Sequence, residues 1–415
     1  MPKIRRKSIE NDFLLIFFCM QSEGVAQSSI LMILRHPLLR EFINNGHEVY
    51  CISPAEKKTG IQTHFEENGH LLKLRIGNIQ KTNIIEKGVS TIMIELQFVS
   101  AIKKYFGNVK FNLVLYSTPP ITLANAVNYI KSRDGAKTYL MLKDIFPQNA
   151  VDLGMMHTNG LAGMVYKYFR NKEKKLYKIS DYIGCMSQAN VDYVLTHNPE
   201  IPVERMNICP NSIEIQDMRL TVHERENIRD RYDIPQDKKV FVYGGNLGKP
   251  QGIPFVIQCL SSQAENKDVY FIIVGDGTEY GKMETYFRET HPKNMRLMKR
   301  LPKNDFDRMI AACDVGMIFL DHQFTIPNFP SRLLAYMQAG LPVLACTDTN
   351  SDIGKVITEG YFGWWCVSTD SQEFSKCINK IMNANTKIYG DNSYKYLKSY
   401  YSVSVVYKEM ESFIK

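Results

Sequence analysis

Short runs of branched and aromatic residues alternate with longer amphipathic stretches along the whole chain. In the first half, FLLIFFCM (from Phe13), HEVYCIS (from His47), LLKLRI (from Leu71), NLVLYS (from Asn112), KTYLMLK (from Lys137) and YIGCMS (from Tyr182) read as strands. Helical spacing fills several gaps between them, notably residues 28–44, 90–106 and 161–179. Near-continuous apolar strands alternating with helices predict a parallel sheet covered on both faces. After a polar stretch ending in QDKK the pattern restarts with VFVYGG, Val240 to Gly245. VYFIIVG (from Val269), MRLMKR (from Met295), VGMIFL (from Val315), PVLAC (from Pro342) and GWWCV (from Gly363) follow. The expected fold is α/β, with two doubly wound domains in tandem. The first is assigned to residues 1–210 and the second to 211–394, with about 395–415 folding back on the first. Two such domains face the carboxyl ends of their strands across one deep cleft, where ligands of open α/β sheets bind.

Composition adds a few bounds. A chain of 415 residues exceeds one ordinary core, in keeping with two domains. Nine cysteines are scattered singly, with no C-x-x-C pair and no histidine cluster, which predicts a reducing cytosol and neither a disulfide scaffold nor a zinc site. The formal charge of +8 suits polyanionic ligands or an anionic membrane surface and is too mild to require nucleic acid. The start, MPKIRRKSIENDFLLIFFCM, imitates a signal peptide. Its apolar run, Phe13 to Met20, is short and flanked by acids, so it reads as a buried first strand behind a basic tail. No segment is long enough to span a bilayer.

Candidate chemistry concentrates in loops after strands. In IPNFPSRLLAYMQAGLPVLA, Ile326 to Ala345, a Pro-rich loop enters a helix whose first turn offers Ser331 and Arg332. First-turn amides, the helix dipole and an arginine together suit a diphosphate. The loop GGNLGKPQGI after the second domain's first strand brings Gly244, Gly245 and Gly248 with Lys249, but it fails the P-loop pattern twice. In IIVGDGTEYG, Gly275, Gly277 and Gly281 mark a tight strand-to-helix turn. Asp305-Phe306-Asp307 spells D-x-D at a helix start, where Asn304 or Asp305 is expected to cap; no metal site is assigned.

In the first domain, Glu23-Gly24 and Ser117-Thr118-Pro119-Pro120 follow strands, and KDIFPQ puts Lys143 and Asp144 at the end of another. Asp144 is placed to orient a hydroxyl. The stretch Gly163 to Lys178 carries six basic residues against one acid, interleaved with Met164, Tyr168, Phe169, Leu176 and Tyr177. It fits either an anionic lipid surface or a surface helix packed on the sheet.

As a set, YGGNLGKPQGI, FIIVGDG, PNFPSRLLAYMQAGLPVLA, KDIFPQ and GCMSQAN resemble the retaining glycosyltransferases of GT-B fold. The resemblance is to the large family-4-like group that includes bacterial O-antigen and capsular polysaccharide transferases, and it spans nearly the whole chain. It implies two facing Rossmann-like domains, a nucleotide-diphospho-sugar donor (UDP-sugar foremost) on the second and a saccharide or lipid-linked acceptor on the first. Carried over, the donor set is Gly245, Asn246, Lys249, Gly275, Arg300, Pro330, Ser331, Arg332 and Leu333. The acceptor and closure set is Glu23, Gly24, Thr118, Lys143 and Asp144. Arg332, Lys249 and Asp144 are assigned to catalysis, with no cofactor, at the inner face of the cytoplasmic membrane. Two glutamates that many relatives carry eight positions apart are Pro327 and Ala335 here, and Asn246 and Gln251 stand where relatives often have Arg and Lys. A non-catalytic binding subunit and a sugar-nucleotide epimerase stay open as alternatives.

Overall fold

The computed structural model describes residues 14–18, 36–66, 69–79 and 82–415. Its first sheet holds eight strands: β1 (Leu14–Phe18), β2 (Glu48–Glu56), β3 (His64–Glu66), β4 (Leu71–Ile76), β5 (Leu113–Ser117), β6 (Lys137–Leu142), β7 (Tyr182–Cys185) and β8 (Met206–Ile208). They run in the order β3-β4-β2-β1-β5-β6-β7-β8, parallel except for β3 against β4. The second sheet holds β9 (Lys239–Asn246), β10 (Val269–Asp276), β11 (Met295–Met298), β12 (Val315–Phe319), β13 (Val343–Thr347) and β14 (Gly363–Val367). Their order is β11-β10-β9-β12-β13-β14, all parallel. This is the GT-B architecture.

The central strands are apolar on both sides because helices cover both faces. Ile16 and Phe18 face one layer of the first domain, and Leu15 and Phe17 the other. The last helix, Val403–Ile414, packs on that second layer through Val406, Tyr407 and Met410. Its Tyr407 hydroxyl meets His47 Nε2 at 2.8 Å. The polar segment before β9 forms a helix, Val222–Arg231, started by a Thr221/Glu224 capping box. Fully buried Arg229 clamps that helix to the second domain, donating to Asp314 Oδ2 (2.7 Å), Ala312 O (2.9 Å) and Pro235 O (2.8 Å).

Two strands escape the hydrophobic pattern or barely register in it. β3 and β8 have three residues each, and β3 is largely exposed. The helix Lys303–Ala311 also starts earlier than expected. Pro302 takes the N-cap position, no side chain caps, and Asp305 lies inside the first turn. With the helix beginning at Lys303, Asn304 and Asp305 lie inside it and cannot take the N-cap position, and Asp305 instead sits at the positive end of the helix dipole.

Candidate active site

β9 pairs with β10 as far as Asn246 opposite Asp276, but with β12 only at Phe241–Val315 and Val242–Gly316. A crevice therefore opens toward the carboxyl ends of β9 and β12, where the strand order reverses. Tyr336 fills its base. The buried hydroxyl accepts from Gly244 N–H (3.1 Å) and donates to Met317 C=O (3.1 Å). It thereby replaces ladder bonds that the splayed strands cannot make. Burial drives the Tyr336 phenol far above its ordinary pKa, so it remains a neutral donor.

Arg332 sits one turn before Tyr336 on the helix Arg332–Gln338 and shares its face. The guanidinium carbon stands 4.5 Å above the Tyr243 ring. Gly245, at φ 139°, leaves it room: a Cβ there would lie 2.6 Å from Arg332 Nη2. Arg332 Nη1 is buried with no hydrogen-bond partner. An orphaned buried donor costs roughly 1–3 kcal/mol, more when charged. The helix start is tighter than expected. Leu333 N–H bonds Pro330 O (3.2 Å) and Leu334 N–H bonds Ser331 O (3.1 Å), so those amides are spent internally. The Leu333 side chain is fully buried in the core.

Beside Arg332 lies a 480 Å³ cavity lined by Gly245, Asn246, Gly275, Asp276, Arg300, Lys303 and Phe306. Gly275 is required there, since a Cβ would stand 1.9 Å from Gly245 O. A 780 Å³ cavity separates the domains, with His36, Met141, Lys143 and Asn211 on one side and Lys303, Phe306, Asp307, Ser331 and Ala335 on the other. Lys303 and Phe306 line both cavities and form their common wall.

Asn246 and Gln251, which replace the cations of many relatives, bind each other: Asn246 Nδ2 donates to Gln251 Oε1 at 3.0 Å. Gly248 N–H donates to the same oxygen at 3.2 Å, closing the loop on itself. Positive charge at the crevice comes instead from Arg332, Arg300 and Lys303. Lys249 is not brought to this group; it is exposed and lines a separate 220 Å³ cavity with Glu279, Lys282 and Asp321. Pro330 leads into the Ser331 turn and is half-buried. Pro327 is buried, and Ala335 leaves no carboxylate on the cleft wall at its position.

In the first domain Thr118 is a scaffold. Its buried hydroxyl donates to Asp144 O (3.0 Å) and accepts from the amides of Lys143 (3.2 Å) and Asp144 (3.3 Å). Lys143 faces the interdomain cavity and donates to Asn211 Oδ1 at 2.9 Å. Burial raises the Asp144 carboxyl to about 6, against the hydrogen bond it accepts from Asn149 Nδ2 (2.6 Å). Glu23 and Gly24 lie outside the described residues. His36 was not singled out by sequence. Burial, with Lys143 nearby, lowers its imidazole to about 4, so it lines the cavity uncharged.

Other residues that sequence reasoning passed over are Tyr243, Tyr336, Lys303 and Phe306. Attention to the D-x-D acids hid the last two. Lys303 in fact pairs with Asp307, and Phe306 packs where Gly244 lacks a Cβ. Asp305 stands 3.9 Å from Arg231. Among the described residues, no group of three or more His, Cys, Asp or Glu side chains is placed to hold a metal ion.

Residues 224–400 match the glycosyl transferases group 1 family. The chain carries a group 1 glycosyltransferase domain. That domain supplies β9 to β14, the crevice and Arg332. Over 324 residues the chain is 23% identical to the "Probable glycosyltransferase WbjE" of Pseudomonas aeruginosa, covering 78% of each. Among solved structures it resembles Anabaena Alr3699/HepE in complex with UDP, at TM-score 0.67 and 14% identity, covering 96% of this chain and 98% of that one. It also resembles WaaG, a glycosyltransferase involved in lipopolysaccharide biosynthesis, at TM-score 0.65 and 12% identity, covering 97% and 100%. At these identities the structural likenesses establish the GT-B fold alone.

Proposed function

We propose that this glycosyltransferase moves a hexosyl or N-acetylhexosaminyl group from a UDP-sugar to a saccharide or lipid-linked acceptor, with retention, in cell-surface polysaccharide (capsule or O-antigen) synthesis. One observation carries the reading: Arg332 holds a buried, unpaired guanidinium nitrogen at the switch-point crevice, beside a basic cavity. Support comes from the group 1 domain and from the UDP held by the HepE complex. In the reaction the acceptor oxygen bonds the anomeric carbon as the bond from that carbon to the diphosphate breaks. The electron pair stays on the diphosphate, and the acceptor's proton passes to a donor phosphate oxygen. Arg332, with Arg300 and Lys303 near it, stabilises the departing charge without a metal, and the facing domains align reactants and exclude water. Asp144 orients the acceptor hydroxyl from the first domain, and Lys249 assists the donor only if its loop moves toward the crevice.

The test is calorimetry with UDP, ADP, GDP and CDP, followed by transfer from the matching nucleotide-sugars to a lipid-linked saccharide pool. Binding of none of the four overturns the reading. Binding without turnover identifies a carrier subunit, and conversion of donor without acceptor an epimerase.

We further assign an anionic membrane face to the first domain, placing the enzyme at the inner surface of the cytoplasmic membrane. Seven of the sixteen exposed large apolar side chains among the described residues lie on two helices. Val89, Ile92, Met93 and Leu96 form one stripe of Ile84–Tyr105, and Met164, Val165 and Tyr168 project from Gly160–Ile179. Lys172 bridges the two, reaching Glu95 Oε2 (2.7 Å) and standing 5.8 Å from the Tyr168 ring centre. Exposed Lys167, Lys174 and Lys178 extend the second helix. Among the described residues, no helix is long and apolar enough to cross a membrane. Replacing these three lysines with glutamate removes about 3 kcal/mol or more of attraction, at about 1 kcal/mol per lysine. Sedimentation with phosphatidylglycerol vesicles should then fail; unchanged binding rejects the assignment.

A further inference from the structure

The segment Thr325-Ile326-Pro327 belongs to the second domain by sequence, yet the first domain holds it. Asp152, at the end of the helix Gln148–Asp152, accepts from Thr325 N–H (2.7 Å) and Ile326 N–H (3.3 Å). The Thr325 hydroxyl lies 2.9 Å from each carboxylate oxygen. Asn190 Nδ2, buried, donates to the Pro327 carbonyl at 2.9 Å. Phe324 and Ile326, 4% and 1% exposed, are buried in the apolar cluster of the first domain. In the reverse direction Asp352 Oδ2 accepts from Ala189 N–H at 3.0 Å. Three consecutive residues thus find their polar partners across the domain boundary.

From Pro327 to Arg332 the chain runs six residues, PNFPSR, two of them prolines. Each proline fixes its φ, so the connection is stiff and displacement at one end reaches the other. We propose that Asp152 and Asn190 are positioning residues, first-domain side chains that set the place of Ser331 and Arg332 through residues 325–330. This rests on the reading that the Ser331–Arg332 turn holds the donor diphosphate. The donor site is then complete only while the two domains are docked.

The test uses the full chain with UDP as probe. Asp152→Ala leaves the Thr325 and Ile326 amides without their carboxylate. It should weaken UDP binding about tenfold, the scale of one charged hydrogen bond. It should also speed hydrogen exchange over residues 325–334 while β9 and β10 stay protected. Asn190→Ala should do the same. Asp152→Asn, which keeps an acceptor oxygen, should recover most of the affinity, an outcome that a general loss of packing would not give. The proposal is overturned if Asp152→Ala binds UDP like the wild type while an Arg332 variant does not. It is equally overturned if exchange rises only around residue 152. Should the wild type bind no UDP, the reading of the turn fails, and the exchange measurement alone decides whether Asp152 holds the segment.

Discussion

Arg332→Met separates a functional cation from a structural one, because the two roles predict opposite signs. Methionine keeps an apolar body over Tyr243 but gives up the guanidinium. The cation–π contact it loses is worth about 0.5–2 kcal/mol. Removing the buried, unpaired Nη1 returns about 1–3 kcal/mol. The folded second domain should therefore fall between about 1 kcal/mol less stable and about 2.5 kcal/mol more stable than the wild type. Ligand binding moves the other way. One charge-assisted hydrogen bond to a phosphate is worth about 1.5–3 kcal/mol, so UDP affinity should drop roughly 10- to 150-fold. kcat/KM should fall by about 10²-fold or more if the same charge stabilises the leaving group. Both tryptophans of the chain, Trp364 and Trp365, lie in β14, so urea unfolding followed by tryptophan fluorescence reports the second domain. UDP at 100 times its Kd should add about 2.7 kcal/mol to the wild type and far less to the variant at the same concentration. A variant that loses 3 kcal/mol or more of stability yet binds UDP normally would refute the reasoning and make Arg332 a packing residue.

Two further outcomes follow from buried charge. Asp144, with its carboxyl raised to about 6 by burial, stays protonated in the fold at pH values where the unfolded chain has already ionised it. The unfolded state then holds fewer protons, so this group lowers stability as pH rises from about 4 to about 6, and its contribution is constant above that. Asp144→Asn should flatten stability over that window and remove a limb near pH 6 below which kcat/KM falls; an unchanged pH–rate profile excludes an ionised Asp144 from the acceptor site. Arg229→Ala breaks a buried pair, but Arg225 still reaches Asp314 at 2.5 Å. The cost should therefore sit at the low end, about 3 kcal/mol in the fluorescence-detected unfolding, with UDP affinity unchanged in the folded protein. A loss under about 1 kcal/mol would mean that Arg225 alone satisfies Asp314.

The strands were legible because burial on both faces leaves unbroken apolar runs such as LLIFF and VFVY. β3 and β8 were not, since three-residue edge strands with polar members carry no periodic signal. The crevice was legible only in outline. Glycines and Arg332 could be marked as special, but the sequence does not reveal that β12 splays from β9. Without that, Tyr336 reads as one more core aromatic. Lys249 shows the converse: a lysine in a glycine-rich loop is chemically suggestive, yet the turn Lys249–Gln251 leaves it lining a different cavity. Asp152 gave no local signal at all, because its partners lie 173 and 174 residues away.

The amide pair between Asn246 and Gln251 has a consequence for how this site could be moved or rebuilt. A phosphate loop that carries its own cations is portable: grafted onto another strand, it brings its charge along. Here the loop's one cation, Lys249, lines a different cavity, and the cations at the crevice arrive separately from the end of β11, the start of the Lys303 helix and the Arg332 helix. No contiguous peptide contains the site. A transplant of YGGNLGKPQGI would carry the shape of the crevice and none of the three cations that face it, whereas any recombination crossover between residues 246 and 332 would split that charge from its loop.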